Sequence, residues 1–516
     1  MVICNLLSDL HSSPSESGST IYDKIKKTVK HTLIFGIGSI ANSAYGLILL
    51  PLYARLLRAA EYGVLSLLMI TLTLVTLVLK LGLNHAFFRQ YYDSEDPARR
   101  REIVGTALVF LLTLGAVVTA ALYPFGTQFS ELIFRGDPGQ AKLVQLVLVT
   151  CFFEVITLIP DSILRANFKS GRYSILNIIA LAFQLSAIVY MVVFVDASAK
   201  SVIIGRLAGT AFEAVLFFWA VRSELTLSFS TPIFKEMITF GSPLVLGQLS
   251  FTLFIMIDRF FVEHYGTRRD VGVYALANTV VSVVTILVTV PFSQVWTVMR
   301  FSVMNEDGAH EYYSRVLTYI VFVSLLFALG VSAVAGDGLL LKALKSYWPC
   351  ATIIPILALA AVFDCASRVL NVGLTLRKRT VYAPLVAGGA LAFNVGLNFV
   401  LIPRYGPLGA SISTLVSYIF FCGLRFWVSN LFFKVDYEWG RVFTLIAVGG
   451  ILLTAFYSID HFRGEPPSHS SLYLSILVKL VLALSFPLIL FVMGFYEDRE
   501  RRKIAEIIRD LIAAIR

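Results

Sequence analysis

Four charged residues interrupt apolar stretches in two matching patterns, D161-S-I-L-R165 and D364-C-A-S-R368. A spacing of four residues places Asp161 and Arg165 on one face of a helix, and the same holds for Asp364 and Arg368. Each pattern lies near the end of an apolar segment, where water is close to the charges. We therefore expect two helical ion pairs that are structural or that gate a passage.

Two further charges lie inside the apolar segment 201–221, where an unpaired charge is costly. Arg206 and Glu213 are seven residues apart, which puts both side chains on one face of a helix. Arg206 could line the pathway of a substrate or an ion, or the two residues could form a buried salt bridge. Glu213 and Glu154, a carboxyl in another apolar segment, are candidate carriers of a coupling ion, because burial favours the protonated form.

The amino-acid composition indicates what kind of protein carries these charges. Of the 516 residues, 57% are hydrophobic and 15% are charged, and the mean hydropathy is +0.78. This is too little polar material for the shell of a soluble core, so the chain is an integral membrane protein. The net charge of +10 then indicates basic cytoplasmic loops and not a nucleic-acid-binding surface.

The motifs that would indicate an enzyme are missing from the sequence. It contains no glycine-rich phosphate loop, no metal-ligand spacing and no Ser/His/Asp set that assembles convincingly. No loop between the apolar runs is long enough for a separate catalytic domain. We therefore expect no catalysis, no metal and no cofactor.

Apolar runs that are long enough to cross a bilayer predict an all-α polytopic protein with about fourteen transmembrane helices. The predicted spans are 33–53, 62–83, 103–123, 143–160, 174–195, 201–221, 237–257, 271–293, 316–335, 350–371, 381–402, 407–427, 442–459 and 472–495. Lys and Arg number 28 on the side of the N-terminus and 12 in the loops opposite. This bias predicts that both termini are cytoplasmic.

The second half of the chain repeats the first. F240-G241, at the start of span seven, matches F35-G36 at the start of span one, and D270-V-G-V matches E61-Y-G-V. Arg259 follows span seven as Arg55 follows span one, and the two Asp/Arg patterns also occupy equivalent places. These matches predict two pseudo-symmetric six-helix lobes followed by two extra helices.

Together, the apolar spans, the internal repeat and the polar ends predict that the chain is divided into six parts. The parts are a cytoplasmic tail (1–32), a first lobe (33–221), a cytoplasmic linker (222–236), a second lobe (237–428), two extra helices (429–495) and a cytoplasmic tail (496–516). The last part carries isoleucine and leucine residues at helical spacing, which is typical of an amphipathic helix on a membrane surface.

Four stretches of the chain carry a family likeness. They are F35-G-I-G-S-I-A-N-S43, L50-P-L-Y-A-R-L-L-R-A-A-E-Y-G63, L81-G-L-N-H-A-F-F-R89 and N398-F-V-L-I-P-R-Y-G406. Their order and spacing resemble the polysaccharide-biosynthesis flippases, of the O-antigen type, in the multidrug/oligosaccharidyl-lipid/polysaccharide (MOP) superfamily. The resemblance covers roughly residues 30–495. It implies two MATE-like lobes around a central cavity, with spans one and seven lining the cleft.

The resemblance also implies a function. Such proteins move an undecaprenyl-pyrophosphate-linked oligosaccharide across the cytoplasmic membrane by alternating access, for O-antigen, capsule or exopolysaccharide synthesis. The implied partners are this substrate, membrane lipids and the polymerases or glycosyltransferases of the pathway. Because guanidinium groups suit phosphate oxygens, Arg55, Arg206 and Arg259 are candidates for binding the pyrophosphate, with Asp258 holding Arg259 in place. An ion pair at the outer surface is the alternative for Asp258 and Arg259.

Three other classes of protein compete with this interpretation. The lipid II flippases of the same superfamily also have fourteen spans. A drug/cation antiporter typically has twelve spans and an acidic cavity, whereas span one here contains Asn42 and no carboxylate. A membrane glycosyltransferase or polymerase usually carries a long outer loop or an acidic motif in the first outer loop, and R55-L-L-R-A-A-E61 is too short for that.

Overall fold

The structure is a computed structural model, and it describes residues 45–166, 170–306, 308–342, 345–379, 381–462, 469–498 and 500–502. All regular secondary structure in these residues is helical. The predicted tail 1–32, the first part of span one and most of the predicted tail helix 496–516 lie outside the described residues.

The first half of the chain forms nine helices within the described residues. They are α1 (Tyr45–Leu56), α2 (Ala59–Leu79), α3 (Leu83–Asp93), α4 (Pro97–Leu122), α5 (Gly126–Ile133), α6 (Ala141–Ile156), α7 (Leu158–Ala166), α8 (Ser170–Tyr190) and α9 (Ala199–Val221). Helix α4 begins at Pro97 because the side chain of Asp96 caps it, accepting a hydrogen bond from the backbone N–H of Ala98.

The second half continues with helices of the same kind. They are α10 (Thr231–Met256), α11 (Asp258–Tyr265), α12 (Arg268–Val284), α13 (Val290–Ser302), α14 (Ala309–Lys342), α15 (Cys350–Leu370), α16 (Val372–Leu376), α17 (Tyr382–Asn430), α18 (Trp439–Phe462) and α19 (His469–Val492). A capping box starts α12, in which Thr267 and Asp270 each bind the other's backbone N–H.

Twelve helical segments in the described part of the chain are long and apolar enough to cross a membrane. One of them, α17, has 49 residues and would extend about 73 Å at the usual helical rise, which is enough for two crossings. Gly406 divides it, because its φ of 54° is left-handed and interrupts the helix between Pro403 and Pro407. With α1 as the described part of span one, every predicted span overlaps a helix.

The helices pack as two groups with two further helices at the side. In the first group, α6 packs against α2, α4 and α9, and α8 packs against α9. In the second group, α15 packs against α12, α14 and α17, and α17 packs against α10. Helices α18 and α19 lie against α14, where the fully buried side chains of Lys479 and Asp337 form an ion pair with an N–O distance of 3.0 Å. The lobe boundaries at 221 and 237 stay predictions.

The two groups meet where α2 crosses α12. Gly63 of α2 lies against the backbone of Arg268, and Gly272 of α12 lies against the backbone of Ala59. A Cβ atom at either glycine would overlap the carbonyl oxygen opposite it, so the crossing needs glycine at both positions. Both glycines belong to the repeated motifs E61-Y-G-V and D270-V-G-V, and the predicted topology places their crossing on the outer side.

Polar contacts join the groups on both sides of the bundle. On the predicted outer side, Arg268 forms an ion pair with Asp137, and this hydrogen bond lowers the pKa of the Asp137 carboxyl. On the predicted inner side, Gln90 of α3 donates a hydrogen bond to Glu236 of α10, with an N–O distance of 3.2 Å. The two groups are therefore in contact on both sides of the space between them.

Candidate functional site

A cavity of about 260 Å³ lies between the two groups of helices. Its walls come from α1, α2 and α9 on one side and from α10, α11 and α12 on the other. The lining residues are Tyr45, Gly46, Tyr53, Tyr62, Leu65, Ser66, Met69, Ile70, Thr73, Val202, Arg206, Met256, Arg259, Ala275 and Thr279. Among these lining residues only Arg206 and Arg259 are charged, so the cavity wall is cationic.

Arg206 reaches the cavity from the middle of α9. Its Nη2 atom lies 2.7 Å from Oε1 of Glu154 on α6, and its guanidinium lies 5.8 Å from the centre of the Tyr45 ring. Its Nε is buried and has no hydrogen-bond partner in the described residues. The alternative of a salt bridge with Glu213 is wrong, because residues seven apart are separated by about 10 Å along a helix, whereas Glu154 faces Arg206 from the adjoining helix.

Arg259 reaches the same cavity from the start of α11, on the opposite lobe. Its side chain is partly buried, its Nε has no hydrogen-bond partner, and it forms no ion pair with any described carboxylate. The expectation that Asp258 holds Arg259 is wrong. Successive residues point to different faces of a helix, so Asp258 is directed into the second lobe while Arg259 lines the cavity.

Asp258 lies inside a polar network of the second lobe and is only 1% exposed. Its carboxylate accepts hydrogen bonds from Tyr274 Oη at 2.9 Å, Thr414 Oγ1 at 2.6 Å and Asn398 Nδ2 at 2.7 Å. The amide of Asn398 also donates to Asn394 Oδ1 at 3.0 Å. The Oδ1 atom of Asn398 is buried without a hydrogen-bond partner in the described residues. All three groups that donate to the carboxylate are neutral.

Aromatic side chains form the part of the cavity wall towards the α2–α12 crossing. The rings of Tyr53 and Tyr62 have their centres 5.7 Å apart, and Tyr62 shares a hydrogen bond of 3.0 Å with Thr279 of the other lobe. Tyr347 packs edge-on against Tyr62 and donates to the carbonyl oxygen of Leu57. The cavity therefore combines guanidinium groups with rings that can both stack and form hydrogen bonds.

Two other predicted site residues lie away from the cavity. Arg55 is exposed near the end of α1 and does not line the cavity, so the structure does not place it beside Arg259. Glu213 is partly buried on α9, and no hydrogen bond or ion pair of its carboxylate is found within the described part of the chain. The predicted roles of both residues stay predictions.

The two Asp/Arg patterns form ion pairs at a distance from the cavity. Asp161 and Arg165 are in contact in α7, and Asp364 and Arg368 in α15 are joined with an N–O distance of 3.2 Å. The backbone carbonyl of Arg368 also accepts a hydrogen bond from the Trp296 indole. Whether these pairs are structural or gate a passage stays a prediction.

Several site residues were missed by the sequence analysis. Asn394 and Asn398 are four apart in an apolar span, and that spacing of polar groups is a signal that was available from the sequence. Tyr53 and Tyr62 gave no such signal, because tyrosine is common at the ends of membrane helices. The contact between Glu154 and Arg206 depends on how α6 and α9 pack, which the sequence does not show.

The fold and the site together define a class of protein: a two-lobed polytopic membrane protein with a cavity between its lobes. Two solved structures share this architecture. "Lipid II flippase MurJ, inward closed conformation" superposes with a TM-score of 0.70 and 15% identity, over 90% of this chain and 100% of that chain. An inward-facing MATE family multidrug resistance transporter of the MOP superfamily superposes with a TM-score of 0.63 and 13% identity, over 80% and 96%. At these identities the likeness concerns the fold.

The sequence comparison identifies the family. A model of the family described as "Polysaccharide biosynthesis protein" matches residues 52–352, more than half of the chain. The chain belongs to this polysaccharide biosynthesis protein family, which confirms the resemblance drawn from the sequence.

Two relatives extend the comparison. The chain is 21% identical over 269 residues to "Lsg locus putative protein 1" of Haemophilus influenzae, a match that covers 51% of this chain and 63% of that protein. It is 20% identical over 398 residues to "Probable low-salt glycan biosynthesis flippase Agl15" of Haloferax volcanii, over 76% of this chain and 81% of that protein.

Proposed function

We propose that this protein is a flippase that moves a lipid-linked oligosaccharide, of the undecaprenyl-pyrophosphate type, across the cytoplasmic membrane for polysaccharide synthesis. The observation that carries the proposal is the cavity between the lobes, into which Arg206 and Arg259 project from opposite sides. Membership of the polysaccharide biosynthesis family supports it, as does the name of the Haloferax relative, a probable glycan biosynthesis flippase. The protein itself makes and breaks no bonds in this proposal.

The two arginines would bind the pyrophosphate between the lobes. A guanidinium presents several N–H donors in a plane and matches phosphate oxygens. Among the described residues, Arg259 has no carboxylate partner to compete with a phosphate, whereas Glu154 holds and orients Arg206. Tyr53 and Tyr62 extend the site with ring faces and hydroxyl groups, which suit the sugar next to the phosphate.

A second cavity supports a substrate with a lipid tail. It has a volume of about 690 Å³ and lies where α1 and α12 meet α14 and α19. Every residue that lines it is apolar or glycine; examples are Leu50, Val280, Leu287, Leu326 and Leu484. An alkyl chain would find no polar group to desolvate there. The tail would then remain in an apolar groove while the head group occupies the central cavity.

Transport would follow from relative motion of the lobes. The α2–α12 crossing joins the lobes on the predicted outer side, and the contact between Gln90 and Glu236 joins them on the predicted inner side. Breaking one set of contacts while keeping the other exposes Arg206 and Arg259 to one side of the membrane at a time. The predicted topology, with both termini in the cytoplasm, gives these sides their identity.

We also propose that the buried network around Asp258 couples transport to an ion gradient. A carboxylate, the unsatisfied Oδ1 of Asn398 and the hydroxyls of Thr414 and Tyr274 are oxygen ligands that suit a proton or a monovalent cation. Thr414 and Asn398 lie on the two halves of α17, and Asp258 begins α11. Binding at this point could change how these helices pack.

The experiment that tests the proposal is export in a flippase-null strain of the source organism. The variants Arg206→Ala and Arg259→Ala should abolish surface polysaccharide, because each removes a phosphate ligand, and lysine at either position should restore it only in part. Arg58→Ala is the matched control, since Arg58 is exposed outside the cavity. Export is normalised to membrane-inserted protein. Normal export by the Arg206→Ala, Arg259→Ala double variant would contradict the proposal, as would rescue of cells depleted of their lipid II flippase.

A further inference from the structure

A crevice of about 330 Å³ opens between the lobes on the predicted outer side, separate from the central cavity. The first lobe contributes Leu132, Ile133 and Arg135, from the end of α5 and the loop that follows. The second lobe contributes the rest of the lining, which is Phe260, Phe261, Glu263, His264, Tyr265 and Phe399. Short helix α11 thus lines both spaces, with Arg259 in the central cavity and the residues after it in the crevice.

The crevice contains a carboxylate that is only partly satisfied. The side chain of Glu263 is 6% exposed, and its Oε1 lies 3.6 Å from Nε of Arg268. Its Oε2 has no hydrogen-bond partner in the described part of the chain. Arg135 does not supply one, because it donates to the carbonyl oxygen of Gly266 at 3.3 Å. A buried carboxylate oxygen without a donor is costly, so this position favours a ligand with hydroxyl groups.

Aromatic rings surround this acid. Phe261 and Phe399 meet edge to face with their centres 4.9 Å apart, and Tyr265 packs against both Phe261 and His264. Flat apolar faces beside a hydrogen-bond acceptor match a sugar ring, which presents C–H groups on its faces and hydroxyl groups at its edge.

We propose that the crevice is a carbohydrate-binding site for the sugars of the exported glycan on the outer side of the membrane. This inference rests on the proposed flippase function and on the predicted topology. Glu263 would accept hydrogen bonds from sugar hydroxyls, and Tyr265 and Phe261 would contact the ring. Because both lobes form the crevice, a bound sugar contacts both and stabilises their closed arrangement on this side.

Helix α11 lines both the central cavity and the crevice, which favours a glycan over a phospholipid head group as the ligand of the crevice. One helix carries a proposed phosphate ligand, Arg259, and within six residues it carries Glu263 and Tyr265. An oligosaccharide that leaves the central cavity along α11 passes from Arg259 to Glu263 and Tyr265. Arg135 donates one N–H to the carbonyl oxygen of Gly266, and the acid and the rings are the groups that would recognise a neutral sugar.

The test is binding of the free oligosaccharide repeat unit, released from the organism's own surface polysaccharide and lacking lipid and pyrophosphate. The full-length protein is titrated calorimetrically in nanodiscs of phosphatidylcholine and phosphatidylglycerol. Glu263→Gln and Tyr265→Ala should each weaken binding by about tenfold, the effect of losing one good contact. Glu131→Gln should change nothing, because Glu131 is exposed on the same side but does not line the crevice.

Three outcomes would overturn the proposal. Unchanged affinity in both Glu263→Gln and Tyr265→Ala would remove the crevice as the site. Loss of binding in the Arg206→Ala, Arg259→Ala double variant would place the sugar in the central cavity. Displacement of the sugar by phosphatidylethanolamine in the nanodisc would identify a lipid head group as the occupant. Tyr265→Ala leaves every ion pair in place, so it keeps the test valid if Glu263→Gln fails to fold. Normal export together with no binding of the free oligosaccharide would refute the carbohydrate site in the crevice but not the proposed flippase function.

Discussion

The two lobes share a fold but hold their buried charges at different places. In the first lobe, Arg206 and Glu154 form an ion pair beside the cavity. At the offset of 204 residues that relates span six to span twelve, Arg206 corresponds to Ala410, which is buried and apolar. In the second lobe, Asp258 is bound only by neutral groups. At the same offset it corresponds to Ala54 in the first lobe.

This difference between the lobes distinguishes residues that the fold requires from charges that a function would require. Features present in both lobes follow from the repeat: the glycines of the crossing serve the contact between the lobes, and the two helical Asp/Arg pairs occupy equivalent places. Charges present in one lobe only are not required by the repeated fold, and burying them is costly. We infer that each lobe supplies one anion-binding arginine, Arg206 and Arg259, and that the second lobe also holds the ion-coupling charge, Asp258.

The largest expected effect is the loss of ion-driven transport when Asp258 of the second lobe is replaced. Asp258→Asn keeps the side-chain volume but removes the charge, so transport driven by an ion gradient should be lost while the protein still folds. The measurement is flipping of a lipid-linked oligosaccharide in liposomes under an imposed proton or sodium gradient. Glu213→Gln is the rival variant, since Glu213 is a partly buried carboxyl of the first lobe that the sequence predicts as a carrier. Glu131→Gln is the control, since Glu131 is an exposed carboxyl that does not line the cavity.

The outcome also decides between Asp258 and the carriers predicted from sequence. Unchanged coupling in Asp258→Asn with loss in Glu213→Gln or Glu154→Gln would return the role to the first lobe. Transport that depends on ATP in purified liposomes would contradict ion coupling in either lobe.

The shared features of the lobes were the ones that the sequence could predict. Hydrophobic runs predicted every span, and the repeat anticipated that Gly63 and Gly272 are equivalent. Helical spacing predicted the contacts within the pairs Asp161–Arg165 and Asp364–Arg368. All of these depend on residues close in sequence or on the periodicity of one helix.

The features that differ between the lobes could not be predicted in the same way. A salt bridge between Arg206 and Glu213 was one of the two alternatives for these charges on one helix face, but the carboxylate partner of Arg206 is Glu154 on α6. Asp258 and Arg259 are neighbours in sequence and were expected to pair, yet they face opposite directions. Contacts between helices depend on rotation and crossing angle, and no periodicity within a single helix contains that information.

The second prediction concerns the symmetric crossing. Gly63→Ala and Gly272→Ala should have equal effects, because each places a methyl group against a backbone carbonyl of the other lobe. Overpacking of this kind costs about 1–3 kcal/mol and should separate the lobes on the predicted outer side. In either variant, Thr279→Cys in the cavity should become more reactive to an impermeant maleimide added outside.

Native cysteines do not interfere with this measurement, since those in the described residues are buried. The control is Gly388→Ala, where an added Cβ has no atom within 4 Å. Increased labelling in only one of the two crossing variants would mean that the lobes do not contribute equally to closure.

The third prediction concerns the ion pair of the first lobe. Glu154→Gln removes the charge that faces Arg206 and should lower the stability by about 1–3 kcal/mol, seen as a lower melting temperature. Replacing Glu154 and Arg206 together by leucine and methionine should recover stability, because paired buried charges contribute little net energy. Export should nevertheless stay absent. Recovery of export in the double variant would reduce Arg206 to a structural partner of Glu154.

The smallest effect is expected at Arg55, and it tests the symmetry that the sequence suggested. The repeat makes Arg55 the counterpart of Arg259, but Arg55 is exposed and does not line the cavity. Arg55→Ala should therefore leave export close to normal, whereas Arg259→Ala abolishes it in the same strain. If Arg55→Ala also abolishes export, the two arginines act as a symmetric pair in a state where the lobes have moved apart on the outer side. Arg55 would then join Arg206 and Arg259 as a phosphate ligand, and the central cavity between the lobes would contain only part of the anion-binding site.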